Sequence, residues 1–225
     1  MKAVLLAAGL GTRMRGAFGN APKILAPFGG RTLLDHQLDY LAGQGVDEVG
    51  INLHHHADTV VEHLGGGTPL PVRVSVEDTL LGTAGALLPL APFLDEPFVL
   101  LYGDVVTDLR LDDLVERHSG IATLACYRSA ELEGKGVVEV DEQLRVTGFV
   151  EKGVAHGEGL VNAGVHVLDP SIVDHISPPF ADFGHDVWPA ALAAGAEITT
   201  VTVDAYIKDV GTPEALAEAV RDLGL

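Results

Sequence analysis

Residues 5–27 read LLAAGLGTRMRGAFGNAPKILAP, and the interpretation of the whole chain starts from this stretch. It opens with a short apolar run, which is typical of a buried parallel strand. The run leads into a glycine-rich loop at residues 9–13, where glycine lets backbone N–H groups approach a ligand closely. A strand that ends in such a loop predicts an anion site in an α/β fold.

The charge of this region differs from that of the chain as a whole. The formal net charge is −18, yet residues 1–34 contain no Asp or Glu. Their basic residues are Lys2, Arg13, Arg15, Lys23 and Arg31. Local positive charge beside free N–H groups suits a polyphosphate, whereas the acidic remainder should repel DNA and RNA. The sequence therefore predicts a small polyanionic ligand and excludes nucleic acid as a partner.

Two familiar phosphate-binding loops do not fit this stretch. The dinucleotide pattern G-x-G-x-x-G requires glycine where the chain has Met14. The P-loop pattern fits Gly11 and Gly16, but Ala17 stands where lysine is required. The loop is therefore of a third kind.

Six segments, in order, resemble the signatures of the sugar-1-phosphate nucleotidyltransferases. They are LAAGLGTRMR with the following PKILAPFGGRTLLDHQLDYL, LLGTAGAL (80–87), YGD (102–104), FVEK (149–152), VNAGVHV (161–167) and KDVGTPEAL (208–216). The resemblance covers nearly the whole chain. It implies an NTP and a sugar 1-phosphate as substrates and Mg²⁺ as cofactor. It is shared with mannose- and heptose-1-phosphate guanylyltransferases and with N-acetylmuramate-1-phosphate uridylyltransferases.

Strand-like and helix-like segments alternate along the first half of the chain. Strands are predicted at 3–8, 49–53, 72–76, 98–102, 121–127, 160–168 and 197–203, and helices near 32–44, 57–64, 83–94, 111–118, 186–194 and from Pro213. Residues 136–140 and 144–149 predict a hairpin. The pattern predicts an α/β fold with a mostly parallel mixed sheet and a small β-hairpin subregion. The resemblance implies the three-layer, Rossmann-like nucleotidyltransferase form of this class.

The length predicts one nucleotidyltransferase domain over residues 1–225. We expect a nucleotide-binding part at about 1–108, a sugar-phosphate-binding part at about 109–225, and no carboxy-terminal β-helix. No apolar run approaches the ~20 residues of a membrane span, and no signal peptide is visible, so we expect a cytoplasmic enzyme. Cys126 lies in an apolar stretch, which predicts a buried, inert thiol.

Asp104 and Asp209 are the predicted metal ligands. Asp104 follows a predicted parallel strand, at the end where open α/β sheets bind ligands, and Asp209 precedes a turn into the last helix. The resemblance assigns both positions to Mg²⁺, and two carboxylates plus phosphate oxygens and waters is how this cation is usually held.

The resemblance also assigns the nucleotide contacts. Catalytic roles fall on Arg13, Lys23 and Asp104, and nucleotide binding falls on Ala8, Gly9, Gly11, Thr12, Arg13, Glu77, Gly82 and Thr83. The LLGTAGAL turn is similar to that of family members that use GTP. A carboxylate at position 77 can accept hydrogen bonds from N1–H and the exocyclic amine of guanine. GTP is therefore favoured, with UTP or dTTP as alternatives.

For the sugar phosphate, the resemblance points to Gly103, Glu151, Lys152, Asn162 and Gly164. Two positions depart from the family pattern: Gly153 and Ile24 stand where proline is common, so contacts around the sugar can differ from those of relatives.

Two other functional classes stay open at this point. A metal-dependent glycosyltransferase usually shows D-x-D, whereas here Val106 lies two residues after Asp104. A non-catalytic nucleotide-sugar binding protein could keep the fold, but loss of the catalytic residues would be expected and none is lost. The identity of the sugar and homo-oligomerisation are left open by the sequence.

Overall fold

The computed structural model describes residues 1–19, 21–150 and 157–225, and the chain divides into two compact units. The first unit consists of Met1–Leu80, Leu101–Leu109 and Ala205–Leu225. The second unit consists of Leu81–Leu100 and Arg110–Asp204. The chain therefore passes between the units several times. Assignment of nucleotide binding to the first half and sugar binding to the second half stays a prediction.

The described strands and helices follow the predicted alternation. The strands are β1 (Lys2–Leu6), β2 (Pro27–Phe28), β3 (Arg31–Thr32), β4 (Glu48–Leu53), β5 (Val72–Val76), β6 (Phe98–Tyr102), β7 (Val105–Thr107), β8 (Ala122–Ser129), β9 (Val137–Val140), β10 (Val146–Val150), β11 (Gly159–Leu168), β12 (Ile198–Thr202) and β13 (Ile207–Asp209). The α-helices are α1 (Arg15–Phe18), α2 (Leu33–Gly43), α3 (Ala57–Leu64), α4 (Gly82–Gly85), α5 (Leu111–Glu116), α6 (Trp188–Ala193) and α7 (Pro213–Asp222).

In the first unit, β1, β4 and β5 form parallel neighbours in that order. Leu6 pairs with Asn52, and Leu53 pairs with Val76, so the carboxyl ends of the three strands lie side by side. The middle of β1 and all of β4 after Glu48 are buried, which explains why both strands are mainly apolar. Helix α2 begins with a capping box between Thr32 and Asp35. The predicted nucleotide-binding residues of the glycine-rich loop follow the end of β1, and Glu77 follows the end of β5.

In the second unit, β12, β8, β11, β9 and β10 are hydrogen-bonded neighbours in that order. β12 runs parallel to β8, and the remaining pairs are antiparallel. β9 and β10 are the predicted hairpin. Cys126 is fully buried in β8, and burial raises the pKa of its thiol to about 12, which confirms the expected buried thiol.

The predicted fold class, α/β with a mostly parallel mixed sheet and small hairpins, is confirmed. The predicted helix at 83–94 is instead the short helix α4 followed by a 3₁₀ segment, Leu88–Phe93. Pro89 and Pro92 explain the difference, because each lacks the N–H of a continuous α-helix. In the described ranges, no helix is both long and apolar enough to cross a membrane.

Candidate active site

Lys23 and Asp104 form an ion pair in the first unit. Lys23 lies in a 3₁₀ turn, Lys23–Leu25, and Asp104 follows the end of β6. The Lys23 Nζ donates a hydrogen bond to Asp104 Oδ2 over 2.7 Å. Their side chains are only 14% and 33% exposed, so the pair is partly shielded from water. A residue predicted to neutralise phosphate and a residue predicted to bind metal therefore lie in direct contact.

Asp209 lies beside the Asp104 segment, although the two aspartates are far apart in sequence. Strand β13 pairs antiparallel with β7, with Asp209 opposite Val105. The backbone N–H of Val210 donates to the carbonyl of Asp104 over 2.8 Å. This short ladder was not predicted, because strands of three residues give too little sequence pattern to detect. It brings the two predicted metal ligands together.

The donor set of this region fits Mg²⁺. In the part of the chain that the structure describes, no group of three or more His, Cys, Asp or Glu side chains could hold a metal. Two neighbouring carboxylates nevertheless suit Mg²⁺, which usually keeps several waters and takes its remaining ligands from substrate phosphates. Asp104 and Asp209 would be the protein ligands of such an ion.

Arg13 reaches the turn that follows Asp209. A Cβ atom built on Gly211 would overlap Arg13 Nη2 and would lie 2.6 Å from Asp209 Oδ1. The Gly211 N–H donates to the same carboxylate oxygen over 2.6 Å. The guanidinium and the carboxylate therefore converge on the backbone at Gly211, where a Cβ atom would displace one of the two side-chain ends. The three residues predicted as catalytic, Arg13, Lys23 and Asp104, and the second predicted metal ligand, Asp209, all belong to the first unit.

The glycine-rich loop follows β1 and turns sharply. Gly11 has a positive φ of 57°, and its carbonyl accepts a hydrogen bond from Met14 N over 2.9 Å. A Cβ on Gly11 would lie 3.1 Å from the Cβ of Lys23, so the loop packs closely on the lysine. Gly9, Thr12 and Arg13 are exposed to solvent, whereas Ala8 is buried. The exposed part of the loop has the accessibility that a polyphosphate ligand requires.

Gly103 lies where the backbone after β6 meets the end of β1. Its N–H donates to the Leu6 carbonyl over 2.9 Å, and a Cβ at this position would overlap that carbonyl oxygen. The buried Gln37 donates from Nε2 to the carbonyl of Val105 over 2.6 Å. The sequence analysis missed Gln37, although a polar residue among the buried leucines of α2 was a detectable signal. Gln37 fixes the segment that carries Asp104.

Glu77 is 4% exposed and lies just after β5. Its carboxylate accepts a hydrogen bond from Asn52 Nδ2 over 2.7 Å, and Asn52 Oδ1 in turn accepts from the Ala7 N–H over 2.8 Å. His54 Nδ1 lies 2.7 Å from the carbonyl oxygen of Glu77. Asn52 was also missed, although it interrupts the apolar sequence of β4. The contact of Glu77 with a nucleobase stays a prediction.

In the second unit, the turn that carries Gly82 and Thr83 packs on a neighbouring segment. Gly82 has a φ of 82°, and a Cβ there would overlap the carbonyl of Ala181. The Thr83 hydroxyl donates to Asp182 Oδ2 and accepts from Phe183 N, each over 2.9 Å. Asp182 is a third residue that the sequence analysis missed. Much of the hydrogen-bonding capacity of Thr83 is used within this unit, and its contact with a nucleotide stays a prediction.

Asn162 and Gly164 form an irregularity in β11. The pairing of β11 with β8 shifts between Asn162 and His166, and Gly164 has a φ of 70°. Asn162 Oδ1 accepts from the Gly164 N–H over 2.8 Å. β-Bulges of this kind re-aim side chains and are frequent beside active sites. Glu151 and Lys152, together with Gly153, lie outside the described residues.

Comparison with known proteins identifies the family of the chain. The sequence matches the nucleotidyl transferase family over residues 2–224. The chain belongs to this family. Within it, the chain is 30% identical over 223 residues to the mannose-1-phosphate guanylyltransferase catalytic subunit beta of Dictyostelium discoideum, a match that covers 95% of this chain and 62% of the relative. It is also 30% identical over 244 residues to the UTP–glucose-1-phosphate uridylyltransferase of Synechocystis sp., covering 98% of this chain and 63% of the relative.

A solved structure of the family extends the likeness to the fold. HddC from Yersinia pseudotuberculosis, in complex with GMP-PN, is 25% identical to the chain and gives a TM-score of 0.85. That match covers 99% of both chains. By contrast, the chain spans less than two thirds of the length of the two curated relatives.

Proposed function

We propose that the protein transfers a nucleotidyl group from an NTP to a sugar 1-phosphate and releases pyrophosphate. The observation that carries the proposal is the convergence of Arg13, Lys23, Asp104 and Asp209 in one unit, beside a glycine-rich loop. Cations and carboxylates arranged in this way match a reaction in which phosphate charges must be neutralised and aligned. Family membership supports the same reaction class.

The chemistry requires positioning more than proton transfer. The second pKa of a phosphate monoester is about 6, so a sugar 1-phosphate already offers an anionic oxygen at neutral pH. This oxygen attacks the α-phosphorus of the NTP, the α–β phosphoanhydride bond breaks, and pyrophosphate leaves. No general base and no covalent enzyme intermediate are needed.

Residues of the first unit would bind the triphosphate, neutralise its charge and hold the metal. Loop N–H groups and Arg13 would hold the triphosphate, and Lys23 would neutralise charge on the phosphate that reacts. Asp104 and Asp209 would hold Mg²⁺, which supplies Lewis-acid neutralisation of phosphate charge when it is bound. Because Lys23 contacts Asp104, a metal ion that bound Asp104 would have to displace the lysine or share the carboxylate with it.

We propose GTP as the preferred nucleotide. A carboxylate offers only acceptors, which matches the N1–H and exocyclic amine of guanine, whereas uracil and thymine each offer one such donor. The burial of Glu77 supports discrimination between bases, because a buried carboxylate is partly shielded from water and its hydrogen bonds with a base would be correspondingly strong. The similarity to a structure that contains GMP-PN also supports guanine. The similarity to a uridylyltransferase keeps UTP as the alternative.

For the acceptor, we propose that Lys152 binds the sugar phosphate and that Glu151 binds sugar hydroxyls. The family resemblance also implies roles in sugar-phosphate binding for Gly103, Asn162 and Gly164. Lys152→Ala should then raise the KM for the sugar 1-phosphate at least about tenfold while the KM for the NTP changes little. Equal effects on both substrates would contradict this assignment. A cytoplasmic location and homo-oligomerisation stay predictions.

The direct test measures pyrophosphate release in the presence of Mg²⁺. Each of GTP, UTP, dTTP, CTP and ATP is combined in turn with mannose, glucose, heptose and N-acetylmuramate 1-phosphates. Release that requires both an NTP and a sugar phosphate is expected, with the highest initial rate for GTP. Preference for UTP or dTTP would overturn the guanylyl assignment alone, and absence of release with every pair would overturn the reaction class.

A further inference from the structure

Asn52 is a buried amide in an otherwise apolar part of β4. It is 3% exposed, and a buried amide costs free energy unless its polar atoms are hydrogen-bonded. Both ends of its side chain are used. Oδ1 accepts from the Ala7 N–H over 2.8 Å, and Nδ2 donates to Glu77 Oε1 over 2.7 Å. One side chain therefore joins the start of the glycine-rich loop to the carboxylate predicted to select the base.

The chemistry of the neighbours fixes the orientation of this amide. The Ala7 N–H can only donate, so the carbonyl end of Asn52 must face it. The amino end must then face Glu77, whose carboxylate accepts. No other common side chain of this size offers an acceptor at one branch and a donor at the other.

The backbone N–H and the backbone carbonyl of Glu77 both have close polar partners. Its N–H donates to the Leu53 carbonyl over 2.7 Å, and its own carbonyl lies 2.7 Å from His54 Nδ1. With the backbone anchored, the hydrogen bond from Asn52 holds one carboxylate oxygen, Oε1, in place. The register supports this arrangement, because Leu6, Asn52 and Ser75 are neighbours across three parallel strands.

We propose that Asn52 is a positioning residue for base selection. It orients the carboxylate of Glu77 and ties that orientation to the backbone at Ala7, where the nucleotide-binding loop begins. This inference rests on the proposed function, in which Glu77 accepts hydrogen bonds from the base. It assigns to position 52 the control of which hydrogen-bonding groups residue 77 presents to the nucleotide.

Exchanging the amide at position 52 and the carboxylate at position 77 tests whether residue 52 controls the orientation of residue 77. In the single variant Glu77→Gln, the Asn52 amino group still donates, so the carbonyl of the introduced glutamine must face Asn52 and its amino group faces away. In the double variant Asn52→Asp with Glu77→Gln, the introduced aspartate only accepts. The amino group of the glutamine must then face the aspartate, and the glutamine carbonyl faces away. The double variant keeps one buried amide and one buried carboxylate, as in the wild type, and the aspartate can still accept from the Ala7 N–H.

The expected result is a change in base preference rather than in stability alone. Glu77→Gln should lower the ratio of kcat/KM for GTP to that for UTP at least about tenfold, because a donor replaces an acceptor facing guanine. The double variant should recover that ratio at least about tenfold over Glu77→Gln. Equal ratios in the two variants would overturn the inference, whichever base the wild type prefers.

Two further variants keep the test decisive if the double variant is unstable. Asn52→Ala removes both contacts and should move the GTP-to-UTP ratio toward one while leaving the KM for the sugar 1-phosphate unchanged. Thr200→Val is the matched control, because it removes a different buried hydrogen bond, from Thr200 Oγ1 to the Leu144 carbonyl. An unchanged ratio in Asn52→Ala, or an equal change in Thr200→Val, would contradict the positioning role. Absence of turnover by the wild type with every NTP would instead reject the proposed reaction.

Discussion

The amino group of Lys23 donates a hydrogen bond to the carboxylate of Asp104 over 2.7 Å, across 81 residues of sequence. Lysine neutralises part of the charge of the carboxylate in the absence of other partners. In the proposed function, a divalent cation bound to Asp104 would compete with this lysine, and a triphosphate that binds with the cation would become the new partner of the lysine. When a metal–nucleotide substrate binds, Asp104 would then contact the metal and Lys23 would contact the phosphates.

Replacement of Lys23 tests this competition. Lys23→Ala should bind Mn²⁺ more tightly than the wild type in the absence of nucleotide, because Asp104 no longer shares its charge with an ammonium group. Turnover should nevertheless fall at least about a hundredfold, because the reacting phosphates lose a cation. Metal titration without nucleotide and pyrophosphate release at saturating Mg²⁺ measure the two effects. Weaker Mn²⁺ binding in the variant would show that the pair does not act in this way.

Neutral replacements of the two aspartates test the metal site. Asp104→Asn and Asp209→Asn should each lower kcat at least about a hundredfold with little change in the thermal unfolding midpoint. An asparagine at 209 can still accept from the Gly211 N–H, so the turn should persist. Asp108→Asn is the matched control, because that carboxylate accepts from the Tyr206 N–H and has no predicted role in metal binding. Turnover near the wild-type value in both test variants would refute the metal assignment.

The close approach at Gly211 predicts the effect of a single methyl group. Gly211→Ala places a Cβ against both Arg13 and Asp209, so at least one of them must move. Because the contacted atoms lie at the ends of flexible side chains, we expect kcat/KM for the NTP to fall, but less than in Arg13→Ala. Gly43→Ala serves as the control, because a Cβ there meets nothing within 4 Å. A Gly211→Ala enzyme with unchanged kcat/KM for the NTP would mean that Arg13 is not needed at this position.

His166 predicts a loss of stability in mild acid. Burial lowers its pKa from 6.5 to about 3, and the ring lies edge-on to Trp188 at 5.8 Å between centroids. Between pH 6.5 and pH 3, His166 therefore binds a proton in the unfolded chain but not in the folded chain. Stability should fall as the pH decreases from 6.5 toward 3, by up to about 1.4 kcal/mol per pH unit from this residue.

Urea unfolding at pH 7, 6 and 5 measures this contribution. His166→Leu should lose less stability over that interval than the wild type, because leucine does not titrate. The exposed His185 provides the control, and His185→Gln should follow the wild-type pH dependence. Parallel curves for the wild type and His166→Leu would be inconsistent with a neutral buried histidine.

The main strands and helices could be predicted because their apolar sequences are long and periodic. β1 and β4 are mainly apolar, as is typical of strands that are buried over most of their length. β7 and β13 could not be predicted, since three residues carry no usable period. The helix predicted at 83–94 was wrong in type because two prolines were given too little weight.

The candidate catalytic residues could be predicted from the family resemblance and from local signals, whereas the residues that contact and support them could not. Glycines, lysine and aspartates at strand ends announce a phosphate or metal site by their chemistry and position. Gln37, Asn52 and Asp182 act through contacts with residues distant in sequence, and only the fold shows those partners. A buried polar residue inside an apolar segment is the signal that would have singled out the first two.

The first unit is assembled from three separate stretches of the chain, whereas Arg110–Asp204 is continuous. An exchange of residues 110–204 for the corresponding stretch of a relative would need only two junctions. Such a chimera would retain Lys23, Asp104 and Asp209 from one parent while it acquired Asn162 and Gly164 from the other. If the proposed roles of these residues hold, the chimera would change acceptor preference and keep the phosphate chemistry of the first parent, so the order of the chain offers protein engineering a modular route.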